Sequence, residues 1–476
     1  MSIAPPTSAA EAARDLEKLR ARLAVDGNSM LKPLGLGGIA IGAGVIDRVP
    51  DFAAELRRAS TDDVALIADC RAIAGRDGEI KGGLKRALSN AGLPFRQITI
   101  GDSEARVHVD AATLDAAMTG AAGAGVLVSV GSGSVVDVGK AVAARCGIPH
   151  IAVQTAGSVN GFADDQSVLS VDGVKRTTQT AWPDRLVVDT DVISRAPKRL
   201  NRAGLGDLLA SYTAPADWLL ASLVGQDDSY SSAVVTLARA YIDPVVDAAG
   251  GIGAGEPTAI EELVGALTLS GIAMGVAGRT SPGSGMEHTV SHLLEMSQPK
   301  GEDEPLHGAK VGVLSVLAAL LWERVRKAVR EGALTSLLFP SAEEMQSRVA
   351  AAFDDLDPSG AVAAECWRDY SRKLARWHAA APTLQSLAER WTAAEPEFDT
   401  ILAPAGRLVA ALRNAGAPTR TTDLGVEPGR LRWALGNCHL MRDRFTIADL
   451  AFFMGMYESD DLAQLLGEAE SIDSGV

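Results

Sequence analysis

Apolar and polar positions divide the chain into two stretches with different periods. Up to about residue 195, short aliphatic and β-branched runs alternate with amphipathic segments. Runs at 38–41, 64–68, 96–100, 126–130, 151–153 and 186–188 predict strands, and segments 51–59, 80–91, 111–121 and 135–145 predict helices. Strands separated by helices of ten or more residues indicate βαβ units and a mostly parallel sheet. One interruption stands out, because 167–171 and 174–178 flank Asp172-Gly173 and predict a hairpin. Beyond 195 the strand signal disappears. Apolar-periodic runs at 206–223, 228–249, 258–277, 286–296, 308–330, 343–355, 361–378, 383–393, 400–414 and 446–455 predict helices alone. The expected organisation is an α/β domain over 37–195 and an all-helical domain over 196–476. An extension over 1–36 precedes them, with one helix at 11–24 expected to lie outside the main fold.

Composition narrows this picture. At 476 residues the chain is long enough for two or three domains. A hydrophobic fraction of 47% with only 4% aromatics suits closely packed helices and α/β layers rather than a β-sandwich. The formal net charge of -15 argues against a nucleic-acid partner, which needs clustered Lys and Arg. It leaves room for a basic pocket that takes one small anion. Cys70, Cys146, Cys366 and Cys438 are widely spaced and form no CxxC pair, as expected of reduced thiols. No basic patch followed by an apolar run opens the chain, so no signal peptide is expected. The longest apolar stretch, taken as 311–322, is too short to span a bilayer. A cytoplasmic protein with no membrane partner is expected.

Candidate chemistry begins at GVLVSVGSGSVVDVGKAVA, residues 125–143. A strand ends at Val130, Gly131-Ser132-Gly133-Ser134 makes the turn, and a helix begins near Val135. A helix N-terminus offers free N–H groups and partial positive charge to a phosphate, and glycines let the backbone approach it. The turn therefore predicts a diphosphate site and makes the α/β domain Rossmann-like; a tight turn without ligand is the alternative. The following strand leads to Gln154-Thr155-Ala156-Gly157-Ser158, which could serve the same nucleotide. Asp69, at the end of the 64–68 strand, could accept hydrogen bonds from ribose hydroxyls and repel a 2′-phosphate, which favours NAD over NADP. A solvated strand-end carboxylate is the alternative.

Three of the seven histidines, His288, His292 and His307, fall within twenty residues. Ser284 and Glu287 form an S-x-x-E pattern, which predicts a capping box and a helix starting near Gly285. His288 and His292 are then i and i+4 on one face. His307 precedes another long helix, and Asp207 lies in the helix that opens the second domain. Imidazoles with a carboxylate suit a catalytic ion that keeps one position open. Histidines that merely pack at a helix end are the alternative. His108, His150, His378 and His439 show no ligand spacing, although His439 stands near Arg442 and Arg444. Trp218 is expected in the core.

The ordered motifs GSGSVVDVGK, VQTAGSVNGF, DGVKRT, DTDVISRAP, GLGDLLASYTAPADW, GSGMEHTVSHLLEM and HGAKVGV resemble the glycerol-1-phosphate dehydrogenases of the iron-containing alcohol dehydrogenase superfamily. The resemblance covers residues 37–321, and RDRFTIADLA is similar to the family's closing motif. It implies a catalytic site in a cleft between an α/β and a helical domain. It implies that Asp207, His288 and His307 hold one divalent metal (Zn, Fe or Ni), and that His292 touches substrate. Gly131, Ser132, Gly133, Ser134 and Val135, with Asp137, and Thr155, Ala156 and Ser158 correspond to contacts with NAD or NADP. Two positions depart from the family: Asn160, before Gly161, stands where an Asp touches substrate, and Asp164, near the cofactor, where a Ser or Thr is usual. A neutral amide in place of a carboxylate changes charge and donor pattern.

The implied activity is interconversion of a small polyol or its phosphate with the ketone, sn-glycerol 1-phosphate and dihydroxyacetone phosphate first, by a homo-oligomer. Lys175 and Arg176 are candidates for a substrate phosphate. Two other readings stay open. A 3-dehydroquinate-synthase-like lyase would use NAD transiently and carry a Glu at position 207. A silent nucleotide-binding scaffold would need no metal.

Overall fold

The computed structural model describes residues 8–25, 30–59, 61–101, 107, 109–171, 174–299 and 304–474. His108, the Asp172-Gly173 turn and the side chain of Lys175 lie outside the described residues. The chain forms two units. One comprises residues 1–208 and 240–279, the other 209–239 and 280–476.

The first unit is built on six parallel strands, β1 (Ile39–Gly42), β2 (Val64–Ala68), β5 (Phe95–Thr99), β6 (Val126–Gly131), β7 (His150–Gln154) and β10 (Arg185–Asp189). Their order is β1-β10-β7-β6-β2-β5. These are the six runs that the pattern predicts. The central strands are covered on both faces, which is why they read as unbroken apolar runs rather than alternating ones. Val64, Leu66 and Ala68 of β2 join Val126, Val128 and Val130 of β6 in one cluster with α3 (Val49–Leu56) and α4 (Ile80–Asn90). Ala65, Ile67 and Leu127 point the other way, against α5 (Ala111–Ala121) and α6 (Gly133–Cys146). Each Val or Leu buried in this way contributes about 1.5–3 kcal/mol. Two-residue strands β3 (Ala74–Gly75) and β4 (Gly78–Glu79) form a small antiparallel pair before α4. The expected hairpin is present as β8 (Gln166–Val171) and β9 (Val174–Gln179).

Three expectations change here. The N-terminal extension carries two helices, α1 (Ala9–Arg14) and α2 (Leu16–Val25), and α1 is not outside the fold. Ala9, Ala10, Ala12 and Ala13 are buried against α13 (Pro257–Ala277). A Cβ at Gly265 would lie 2.4 Å from the Ala10 nitrogen, so only a glycine admits α1. Secondly, units divide differently from the boundary expected near 195. After α7 (Thr190–Arg195), the helix α8 (Lys198–Leu209) continues the first unit almost to its end, and α11 (Ile242–Asp247), α12 (Ala249–Ala254) and α13 return to it. Helical period reports secondary structure, and α13 belongs where its apolar surface is covered, on α1, α7 and β1. Thirdly, α13 rather than 311–322 is the most bilayer-like segment. It is the one described helix long and apolar enough to cross a membrane, and 89% of its apolar window is buried within the protein.

The second unit is helical. It holds α9 (Ala214–Leu223), α10 (Ser232–Arg239), α14 (Met286–Met296), α15 (His307–Arg330), α16 (Ala342–Phe353), α17 (Ala361–Leu384), α18 (Leu387–Ile401), α19 (Ala405–Ala415), α20 (Pro428–Asn437), α21 (Ile447–Phe453) and α22 (Ser459–Ser474). The expected run 228–249 is broken into α10 and α11, and α20 and α22 are additional to the pattern. Helix α15 is buried for most of its length and packs on α14, α19, α21 and α22. The closing motif is tied to helices distant in sequence within the second unit. Thr446 and Asp449 cap α21, the Ile447 N–H donates to Asp217 of α9 at 3.0 Å, and Lys373 of α17 pairs with Asp449 at 2.6 Å in full burial.

Candidate active site

In the first unit the strand order reverses between β2 and β6. From β2 the chain moves outward to β5, then crosses back to β6, β7 and β10. Ligands of open α/β sheets bind beyond the carboxyl ends of strands at such a switch point. Two predicted elements stand there, Asp69 after β2 and the Gly131–Ser134 turn after β6. Ser132 is the N-cap of α6, without a side-chain cap bond. Gly131 is closely fitted, since a Cβ there would lie 2.5 Å from Val135. The second turn is joined to the first, because the Thr155 N–H donates to the Gly131 carbonyl at 3.1 Å. Thr155, Ala156 and Ser158 are buried, and Gln154 donates to the Ala156 carbonyl at 3.0 Å. Asp69 lies 3.5 Å from the ammonium of Lys81, itself buried against the Asp69 carbonyl.

Asp137 and Asp164 occupy a different setting from the nucleotide contact that the motif suggests. Both surround Lys140, a fully buried lysine on α6 that the sequence pattern does not single out. Its ammonium donates to Asp164 at 2.6 Å and to the Gly161 carbonyl at 2.7 Å, bonds the Gln166 carbonyl, and lies 3.8 Å from Asp137. Burial pushes the Asp164 carboxyl up and the Lys140 charge opposes that shift. Thus α6 is tied by one cation to the segment 161–166. The Asp that replaces the usual Ser or Thr has its counter-ion supplied from the neighbouring helix.

Asp207 and Asn160 meet within the same unit. The Asn160 N–H donates to the Asp207 carboxylate at 3.0 Å, and the Asn160 side chain donates to Ser270 at 3.2 Å. Both residues are buried. Helix α8, which carries Asp207, lies directly on the second turn. Asn201 accepts from the Gly157 N–H at 3.0 Å, and a Cβ on Gly204 would fall 1.8 Å from the Gly157 oxygen.

The histidines lie in the second unit. Helix α14 starts where expected, but the capping box is not formed. Its N-cap is Gly285, Ser284 is held by Arg444, and Glu287 turns elsewhere. The fully buried Glu287 carboxylate accepts from the Gly285 N–H at 2.6 Å, from the Thr213 hydroxyl at 2.9 Å, and faces His288 Nδ1 at 3.0 Å. Burial opposes its charge, but the His288 contact and backbone bonds hold it below the usual carboxylate range. His307 has the same arrangement, its Nδ1 lying 2.7 Å from Glu295. Ring centroids of His288, His292 and His307 lie 5.2–6.3 Å apart. The donor atoms of His288 and His307 come within 4.8 Å of each other.

A carboxylate on Nδ1 fixes the ring and tautomer and leaves Nε2 for an ion, the outer-shell pattern of metal-ligating histidines. The residues therefore fit a bound divalent metal. His292, Glu295 and His307 also come within 4.8 Å, but Glu295 already serves His307 and Lys310. His292 is 5% exposed and its Nδ1 has no hydrogen-bond partner. Burial first, then the charge of Arg442, hold it well below the usual histidine range, so it is neutral. His439 does not join this group. It is enclosed by Phe452, Tyr370 and Tyr457. Trp218 is buried, as expected.

Sequence comparison agrees with this architecture. The iron-containing alcohol dehydrogenase family matches residues 40–197. The fold is similar to that of a probable glycerol dehydrogenase from Sinorhizobium meliloti, with a TM-score of 0.56, 19% identity, and 91% of this chain and 97% of the other covered. It is also similar to glycerol dehydrogenase from Schizosaccharomyces pombe, with a TM-score of 0.55, 14% identity, and coverage of 92% and 88%. The family match and the sequence relatives place the chain in the iron-containing alcohol dehydrogenase class. In sequence, the chain is 31% identical over 297 residues to glycerol-1-phosphate dehydrogenase (NAD(P)+) of Methanosarcina acetivorans, covering 62% of this chain and 80% of that protein. It is 29% identical over 418 residues to the Bacillus licheniformis enzyme of the same name, covering 87% and 88%. The chain belongs to the glycerol-1-phosphate dehydrogenase family, and is by that membership a metal-dependent, NAD(P)-linked oxidoreductase acting on a small molecule.

Proposed function

We propose that the enzyme interconverts sn-glycerol 1-phosphate and dihydroxyacetone phosphate, with one divalent ion (Zn, Fe or Ni) held by Asp207, His288 and His307. The observation that carries the metal chemistry is the pair of buried carboxylates on Nδ1 of His288 and His307. Asp207 is the proposed third ligand. Its second oxygen is oriented by Asn160, and it stands two residues before the chain enters the unit of the histidines. The substrate follows from the relatives. Arg442, whose charge acts on His292, and Arg176 on the hairpin are our candidates for the substrate phosphate.

When bound, the ion supplies electrophilic assistance to the substrate oxygen and the dinucleotide supplies or accepts the hydride. The protein's own residues do the rest. Neutral His292 offers a buried, unpartnered ring nitrogen to a substrate hydroxyl and can relay its proton. Asn160 contributes a neutral amide beside the substrate where the family has a carboxylate. That lessens repulsion of an anionic substrate. The Gly131–Ser134 turn and Val135 would take the diphosphate, with Thr155, Ala156 and Ser158 completing the cradle. Asp137 and Asp164 would act on the cofactor through Lys140. Asp69 would meet the adenosine ribose and favour NAD. We further take the enzyme to be cytoplasmic and a dimer or larger homo-oligomer, which size-exclusion chromatography with light scattering checks.

The test is NADH and NADPH oxidation with dihydroxyacetone phosphate, dihydroxyacetone and other small ketones. Turnover of dihydroxyacetone phosphate well above the neutral ketones is expected. If it is inert while a neutral polyol ketone is reduced, the substrate assignment fails.

A further inference from the structure

Two charges near His307 are placed against the preference of the helices that carry them. Glu295 lies in the last turn of α14, where the helix dipole is negative, and its side chain is 3% exposed. Lys310 lies at the end of the first turn of α15, where the dipole is positive, and is 1% exposed. Anions are favoured at helix N-termini and cations at C-termini, so both positions are unfavourable. A buried ion pair is moreover often no more stable than apolar residues of the same volume. A methionine and a glutamine would satisfy the packing. The two charges meet each other at 3.0 Å and converge on one target, with Glu295 2.7 Å from His307 Nδ1. Lys310 also donates to Glu304 at 2.5 Å, and Ser291 donates to Glu295 at 3.4 Å.

Each of the two histidines has its own buried carboxylate on Nδ1. Glu287 accepts from the Gly285 backbone N–H at 2.6 Å and from the Thr213 side-chain hydroxyl at 2.9 Å. Glu295 is met by the Lys310 ammonium at 3.0 Å and by the Ser291 hydroxyl at 3.4 Å. Because Lys310 lies one turn beyond His307 on the same helix, the ammonium and the imidazole grip one carboxylate from the same side.

We propose that Lys310 is a positioning residue for the metal centre: through Glu295 it fixes the ring of His307, so that Nε2 faces the ion. The proposal rests on the metal assignment given above. It is tested by stripping the full-length enzyme of metal with a chelator and titrating Zn²⁺ back against a fluorescent competitor. Lys310→Met and Glu295→Gln should each weaken Zn²⁺ binding by about 10–100-fold, and Lys310→Arg should restore most of it. Thermal unfolding of the metal-free variants provides the second readout. A Lys310→Met protein that unfolds earlier but binds Zn²⁺ like the wild type has only a structural lysine, and overturns the proposal. If Lys310→Met does not fold, the isosteric Glu295→Gln decides on the same criterion. Failure of the wild type itself to bind a stoichiometric ion would instead reject the metal assignment.

Discussion

A single added methyl, Gly204→Ala, should disable the enzyme through backbone packing alone. A Cβ built on Gly204 falls 1.8 Å from the Gly157 oxygen and 2.7 Å from its carbonyl carbon. Carbon atoms of this kind do not approach within 3.0 Å, so α8 and the Gly157 turn must separate by about 1.2 Å. Both are backbone, and no side chain can rotate to relieve the contact. Overpacking on this scale costs about 1–3 kcal/mol of stability. The functional cost is larger, because Asp207 lies three residues further along the same helix and is oriented by Asn160 from the adjoining segment. A misplacement of about 1 Å in a positioned group can lower the rate roughly 100-fold. The assay is kcat/KM for ketone reduction with urea unfolding, alongside Gly83→Ala as control. Gly83 has nothing within 4 Å of its would-be Cβ and sits inside α4, so that change should be neutral or stabilise by about 0.5–1 kcal/mol. A Gly204→Ala enzyme with wild-type kcat/KM and stability would refute the close contact and the role given to α8.

Three further outcomes follow from the same contacts. Lys140→Met leaves Asp164 buried without its counter-ion, which should cost about 3–5 kcal/mol and weaken NADH binding measured by fluorescence; adding Asp164→Asn should recover part of both, and strict additivity would count against the pair. His150 is fully buried with Nε2 2.8 Å from Ser129, and burial holds it down to about 3. Its folded value is below the unfolded one, so its contribution is complete above about pH 6.5 and is lost as pH falls toward 3. At pH 5 the loss should reach about 2 kcal/mol, and a His150→Gln variant should lose that share of the slope between pH 7 and pH 5 in denaturant titrations. Dialysis against a strong chelator should abolish turnover and one equivalent of a divalent ion should restore it; activity that survives complete metal removal would exclude the proposed centre.

The sequence by itself determined the six parallel strands and most of the helices. Parallel strands buried on both faces, such as β2, leave unbroken apolar runs, and the Gly131–Ser134 turn stands between a strand and a helix that periodicity locates. The start of α14 was equally legible, though for a reason that does not hold, since Ser284 belongs to Arg444 and Glu287 to His288. Spacing brought His288 and His292 together, while His307 and Asp207 entered through resemblance. Tertiary structure alone decided the partners of the charges. Lys140, Glu295 and Lys310 look like ordinary polar positions in the chain, and Glu287 reads as a helix cap. Likewise, Asp217 meets Ile447 from 230 residues away, and α13 is assigned to the first unit by what covers it. Periodicity records which face of an element avoids water. It carries no information on which distant group lies opposite a buried charge, and those pairings fix how His288, His307 and Asp164 are held.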